Sequence, residues 1–110
     1  MSCLTLISIT PIGESESVSE YVAKAVEIID NESKINNFEY QLTSMGTIIE
    51  TNNIKESLNL IEKAINEVIQ YIQLKQNKNP RLSILIKMDI RQGKNRINLK
   101  IESVKSKLKK

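Results

Sequence analysis

Two short stretches of the chain gather side chains able to hold a ligand. In Thr43-Ser44-Met45-Gly46-Thr47, hydroxyls and backbone amides surround a glycine, and a residue without a Cβ lets a bound molecule approach the main chain. The same composition suits a tight hairpin turn, so both uses stay open. In Lys87-Met88-Asp89-Ile90-Arg91, the charges of Lys87, Asp89 and Arg91 alternate and therefore share one side of a strand. Such a row is either a set of exposed ion pairs, each contributing little, or the polar lining of a site. Ser17 and Ser19 add hydroxyls that serve either a ligand or a helix cap, and Ser17 is assigned the cap. Tyr21 and Tyr40 offer flat rings against which a heteroaromatic could lie, a spacing that also suits a core.

Catalysis lacks its usual parts. Histidine is absent, so the common activators of a serine or cysteine nucleophile are missing. Cys3 is the only cysteine and has no neighbour that would make it a thiolate. Gly13, Gly46 and Gly93 lie far apart and open no phosphate-cradling loop. No metal ligand set and no cofactor are expected, and the chain reads as a binding protein, not an enzyme.

A lone cysteine rules out an internal disulfide and points to a reducing compartment. The amino terminus lacks the basic start and apolar run of a signal peptide, and nowhere do about 18 apolar residues run unbroken. A cytoplasmic protein without a membrane partner is expected. The net charge of +3 sits at the end, where Lys100, Lys105, Lys107, Lys109 and Lys110 face only Glu102. With no interleaved aromatics this reads as a solvated helix end, and no nucleic-acid partner is expected.

The elements that must position these residues follow from periodicity. Residues 4 to 10 carry β-branched and large apolar types before Pro11 and Gly13, which predicts a strand with bulk on both faces. Ser17 and Glu20 have capping-box spacing, and Val18, Val22, Ala25 and Ile29 predict a helix over about 18 to 32. Phe38, Tyr40 and Leu42 alternate with Glu39, Gln41 and Thr43, and the run resumes at 47 to 51, so a hairpin turns near Gly46. Asn53 and Glu56 repeat the cap spacing ahead of the stripe Ile54, Leu58, Ile61, Ile65, Val68 and Ile72. After Pro80, Leu82, Ile84, Ile86, Met88 and Ile90 mark the core side of a fourth strand, and Ile97, Ile101, Val104 and Leu108 mark a last short helix.

At 110 residues the chain reads as one domain, 1 to 110, able to bury roughly two-thirds of its unfolded surface. The order predicts an α+β, ferredoxin-like βαββαβ antiparallel sheet with both helices on one face, plus a short C-terminal helix. The other face then carries Leu85, either Ile7 and Ile9 or their neighbours, and polar Glu39, Gln41, Thr43, Lys87 and Asp89. A partly apolar open face predicts a second copy as partner, in a dimer or tetramer. The alternative to a ligand-binding protein is a structural or regulatory oligomer that uses this face alone.

Several segments together resemble the thiamine-binding protein family, small single-domain relatives of the YkoF-like thiamine/hydroxymethylpyrimidine-binding proteins. They are Ile-Ser-Ile-Thr-Pro-Ile-Gly at 7 to 13, Ser-Val-Ser-Glu-Tyr-Val-Ala-Lys-Ala-Val-Glu-Ile-Ile at 17 to 29, Tyr-Gln-Leu-Thr-Ser-Met-Gly-Thr-Ile-Ile-Glu at 40 to 50, and Ile-Lys-Met-Asp-Ile-Arg at 86 to 91. The resemblance implies dimers assembled into tetramers, and binding of thiamine or its pyrimidine moiety in a pocket formed with the sheet. Under it, Thr43, Met45, Gly46, Thr47, Lys87, Asp89 and Ser19 become ligand-binding candidates. Glu50 or Asp89 would face the thiazolium if the whole cation binds.

Overall fold

The computed structural model describes residues 1–13 and 18–108. Its elements run β1 (Ser2–Ile12), α1 (Ser19–Asn36), β2 (Glu39–Thr43), β3 (Gly46–Thr51), α2 (Ile54–Gln76), β4 (Arg81–Arg91) and α3 (Arg96–Leu108). The four strands form one antiparallel sheet in the order β2-β3-β1-β4. This is the expected ferredoxin-like α+β arrangement with an added C-terminal helix.

Local chemistry sets the helix ends. The Asn53 side chain accepts from the Glu56 amide at 2.9 Å, and the Glu56 carboxylate accepts from the Asn52 amide at 3.0 Å, so α2 starts on a reciprocal cap. Asn37 and Asn77 end α1 and α2 in the left-handed conformation at φ 55 and 52, which asparagine tolerates better than most residues. Nothing before Asn37 breaks α1, which therefore runs past the expected end near residue 32. Ser17 lies outside the described residues; the helix follows Val18, whose carbonyl accepts from the Tyr21 and Val22 amides.

Side-chain alternation along β1 decides what each face holds. Cys3, Thr5, Ile7 and Ile9 point toward the helices, and Leu4 and Leu6 lie half-buried on the open face. The core joins Ile7 and Ile49 to Tyr21, Ala25 and Ile29 of α1 and to Leu60, Ile61, Ala64, Val68 and Ile72 of α2. The buried stripe of α2 is rotated from the expected one: Ile54 and Leu58 are about half exposed, and Ser57 takes the inward position. The cause is polar. The Ser57 and Thr51 hydroxyls meet at 2.6 Å, and Thr5 and then Cys3 continue the chain at 3.5 Å steps, so the first turns of α2 sit on a buried polar thread.

β4 also departs from expectation. Leu82 and Met88 pack against the core, but Ile84, Ile86 and Ile90 are 38%, 41% and 41% exposed. β4 is an edge strand paired only with β1, while both helices pack over β1, β2 and β3 and leave its flank uncovered. In α3 the expected stripe is buried only at Ile97.

One close approach fixes the hairpin on the sheet. A Cβ at Gly46 would stand 2.8 Å from the Ile7 carbonyl oxygen and 3.0 Å from the Leu6 side chain. Gly46→Ala should therefore lower stability by roughly 1–3 kcal/mol through forced displacement of β3 from β1. Urea unfolding would show it as a lower midpoint, and an unchanged midpoint would mean that the two strands separate without cost.

Candidate functional site

The β2–β3 turn, the far half of β1 and one side of α1 border a cavity of about 230 Å³ that opens to solvent. Ile7, Ile9, Val22, Ala25 and Ile29 supply apolar walls, and the segment from Thr43 to Thr47 closes one end. The structure thus brings together four of the sequence-derived candidates, Thr43, Met45, Gly46 and Thr47. They differ in availability. The Thr43 hydroxyl donates to the Gly46 carbonyl at 2.7 Å and accepts from the Met45 amide at 3.2 Å, so it braces the turn. Met45 is exposed at the rim. Thr47 is only 4% exposed, it lines the cavity, and its hydroxyl has no hydrogen-bond partner among the described residues.

Glu50, Lys87 and Asp89 stand elsewhere. The register sets Glu50 and Asp89 on either side of Leu4, and Lys87 beside Leu6, all on the open face of the sheet. There Leu4, Leu6, Ile48, Lys87, Met88, Asp89 and Lys100 line a shallower recess of about 470 Å³. Ser19 opens α1 on the exposed surface and is not a wall of either cavity. Glu50, Lys87 and Asp89 are not walls of the hairpin cavity, and their side of the sheet is opposite the one that Thr47 faces.

Glu50 and Asp89 are engaged with α3 instead. One Glu50 oxygen accepts from the backbone amides of Arg96 and Ile97 at 2.8 and 3.1 Å, supplying negative charge to a helix whose own first turn has no acid. Arg96, 4% exposed, threads its guanidinium to the sheet, where Nη1 donates to the Ser2 carbonyl at 3.1 Å and the Asp89 carbonyl at 2.9 Å. Its Nη2 stands 2.7 Å from the Asp89 carboxylate as an ion pair outside hydrogen-bond alignment, and Nε has no partner among the described residues. Lys100 donates to the same carboxylate at 2.6 Å. Sequence reading missed Arg96. The available signal was a basic residue at a helix start, which is unfavourable unless another element compensates it.

The tyrosines are committed to packing. Tyr21 is buried edge-on to Tyr71 at 5.8 Å between ring centres, and the Tyr40 hydroxyl donates to Asp30 at 2.7 Å. Among the described residues no group of histidine, cysteine, aspartate or glutamate side chains is arranged to hold a metal ion, and no helix is long and apolar enough to cross a membrane.

Sheet order, helix placement and the terminal helix define a ferredoxin-like α+β protein with a cavity open to solvent under its hairpin turn. More specifically, the chain belongs to the thiamine-binding protein family, whose model matches residues 5–105. Among curated relatives, a UPF0045 protein of Methanothermobacter thermautotrophicus is 32% identical over 104 residues, covering 93% of this chain and 95% of its own. A UPF0045 protein of Mycobacterium bovis is 31% identical over 93 residues, covering 84% of this chain and 80% of its own. Among solved structures, a hypothetical protein of Methanocaldococcus jannascii superposes with a TM-score of 0.73 at 28% identity, over 94% of this chain and 96% of the other. A Thermotoga maritima protein named for thiamine biosynthesis/salvage shares the fold with a TM-score of 0.64 at 17% identity, over 94% and 99% of the two chains.

The α3 anchor has a pH signature. The hydrogen bond from Lys100, reinforced by its charge and that of Arg96, holds the Asp89 carboxyl below the usual aspartate range. A depressed folded pKa stabilises docking above the ordinary value of about 4, and that contribution is lost as pH falls through the folded pKa. Amide exchange in α3 should accelerate selectively under acid, and Asp89→Asn should weaken docking at neutral pH and flatten the dependence. An acid response identical in that variant would remove Asp89 as its cause.

Proposed function

We propose that this protein binds thiamine or its hydroxymethylpyrimidine moiety as a cytoplasmic carrier, buffer or sensor, and performs no reaction on it. The observation that carries the reading is the cavity beneath the hairpin, where the unpartnered Thr47 hydroxyl meets apolar walls. An aminopyrimidine has ring nitrogens, an exocyclic amine and a flat apolar body, which call for a few polar groups in an otherwise apolar slot. At about 230 Å³ the cavity is smaller than the roughly 300 Å³ at which pockets for drug-sized ligands begin, so it suits a single ring within one chain. Membership of the family and the name of the Thermotoga maritima relative support the same ligand class.

A self-associating role has its own support. β4 leaves one edge unpaired over 11 residues, and Ile84, Ile86, Ile90 and Leu85 are exposed along it. A second copy would cover such a surface, giving a dimer or, with the open sheet face, a tetramer. If no small molecule binds, this assembly becomes the whole function.

Calorimetric titration with thiamine, and separately with hydroxymethylpyrimidine, after unfolding and refolding to strip carried-over ligand, should give saturable heat with at least one of them. A matching rise in melting temperature should accompany it at excess ligand. Thr47→Val keeps shape and removes the hydroxyl, and should weaken binding by about 1 kcal/mol or more. Silence with both compounds would sink the ligand reading; full affinity in the variant would remove Thr47 from the site. Light scattering of Ile86→Lys tests the assembly, which should fall to monomers if the β4 edge forms it.

A further inference from the structure

β1 is paired along its whole length with β4, from Ser2↔Arg91 to Ile12↔Arg81, but with β3 only from Cys3↔Thr51 to Ile7↔Thr47. Beyond Ile7 the β3-facing edge of β1 has no strand beside it. In an antiparallel ladder the N–H and C=O of one residue point to the same neighbour, and successive residues alternate between neighbours. The Ile7 carbonyl lies against Gly46, at the start of β3, so odd-numbered residues of β1 address β3 and even-numbered ones address β4. Pro11 agrees independently: proline has no N–H and is accommodated where the ladder needs none, and its parity is that of the open edge.

Ile9 is therefore the next residue whose amide and carbonyl face the missing strand. It is a half-buried wall of the hairpin cavity, which Thr47 and Gly46 also line, and the β3 ladder, which ends at Ile7, supplies its two main-chain groups with no partner. Main-chain groups left by a ladder in this way call for another partner. An added peptide strand fits poorly, because Pro11 removes the second donor that a longer ladder would use.

We propose that the main chain of Ile9 reads the ligand, its N–H donating to a ring nitrogen and its C=O accepting from an adjacent exocyclic amine of a heteroaromatic ring. The class recognised is a planar ring with acceptor and donor side by side, and the Thr47 hydroxyl takes a further polar atom. Ile9 thus sets specificity through atoms that its side chain does not determine. The inference rests on the small-molecule reading of this cavity and adds the atoms that select the ring.

Residue-resolved amide exchange on the ¹⁵N-labelled full chain tests it. In the free protein the Ile9 amide should exchange at least tenfold faster than those of Leu6 and Ser8, which are paired with β4. Saturation with 4-amino-5-hydroxymethyl-2-methylpyrimidine should slow Ile9 at least tenfold. The 4-oxo analogue, which reverses the donor and acceptor order, should bind at least tenfold more weakly by calorimetry. A slowly exchanging Ile9 in the free protein would overturn the proposal, because its edge would already be satisfied. Saturable heat with Ile9 still exchanging fast, or equal affinity for the two analogues, would overturn it and leave the ligand reading intact. Absence of heat with either compound would overturn both.

Discussion

β1 carries two ladders of unequal length, and most of the molecule follows from that inequality. Its long ladder with β4 pairs the strand over 11 residues, and the short one with β3 stops at the turn that joins β2 to β3. Gly46 is the stopping point because only a residue without a Cβ fits against the Ile7 carbonyl there. Past it, the walls are made by α1 side chains and not by another strand. Side chains on a helix do not fill the volume that a strand would take, and an open cavity remains.

The opposite end of the sheet is closed by charge. Glu50 meets the amino end of α3, and the Arg96 guanidinium fills the gap between the ends of β1 and β4 by bonding to Ser2 and Asp89 carbonyls. Buried charges persist when bonds offset the loss of water, and these two groups are compensated by different partners, Glu50 by main-chain amides and Arg96 by main-chain carbonyls and Asp89. α3 is held by Arg96, Ile97 and Lys100, and its remaining apolar residues Leu99, Ile101, Val104 and Leu108 stay exposed. The two ends of the sheet therefore have separate tasks: one borders an open cavity, and the other anchors a helix.

The fold was legible because periodicity speaks for both ladders and helices. The strand through Tyr40, the turn at Gly46 and the Asn53–Glu56 cap each reappear where the pattern put them, while Leu42, expected on the buried side of that strand, is exposed. What a single sequence could not weigh was coverage. Ile84 and Ile86 look like core residues in a list of alternating side chains, but burial depends on whether a helix reaches the strand, and β4 is at the edge. The stripe of α2 shifted for a related reason: Ser57 reads as a surface residue until Thr51 and Thr5 meet it across the layer. The hairpin residues of the candidate site were legible from their types. The separation of Glu50 and Asp89 from them was not, because it depends on strand parity combined with the docking of α3. Parity was encoded at Pro11, whose missing amide marks the open edge once the order of strands is known.

The polar thread under α2 begins at Cys3, the chain's only cysteine, which is fully buried. A thiol reagent can reach that sulfur only after β1 or the start of α2 moves off it, so its reaction would count openings of that layer. The molecule thus carries an internal clock for the parting of α2 from its sheet at this end, with no label added and no second thiol to confuse the signal.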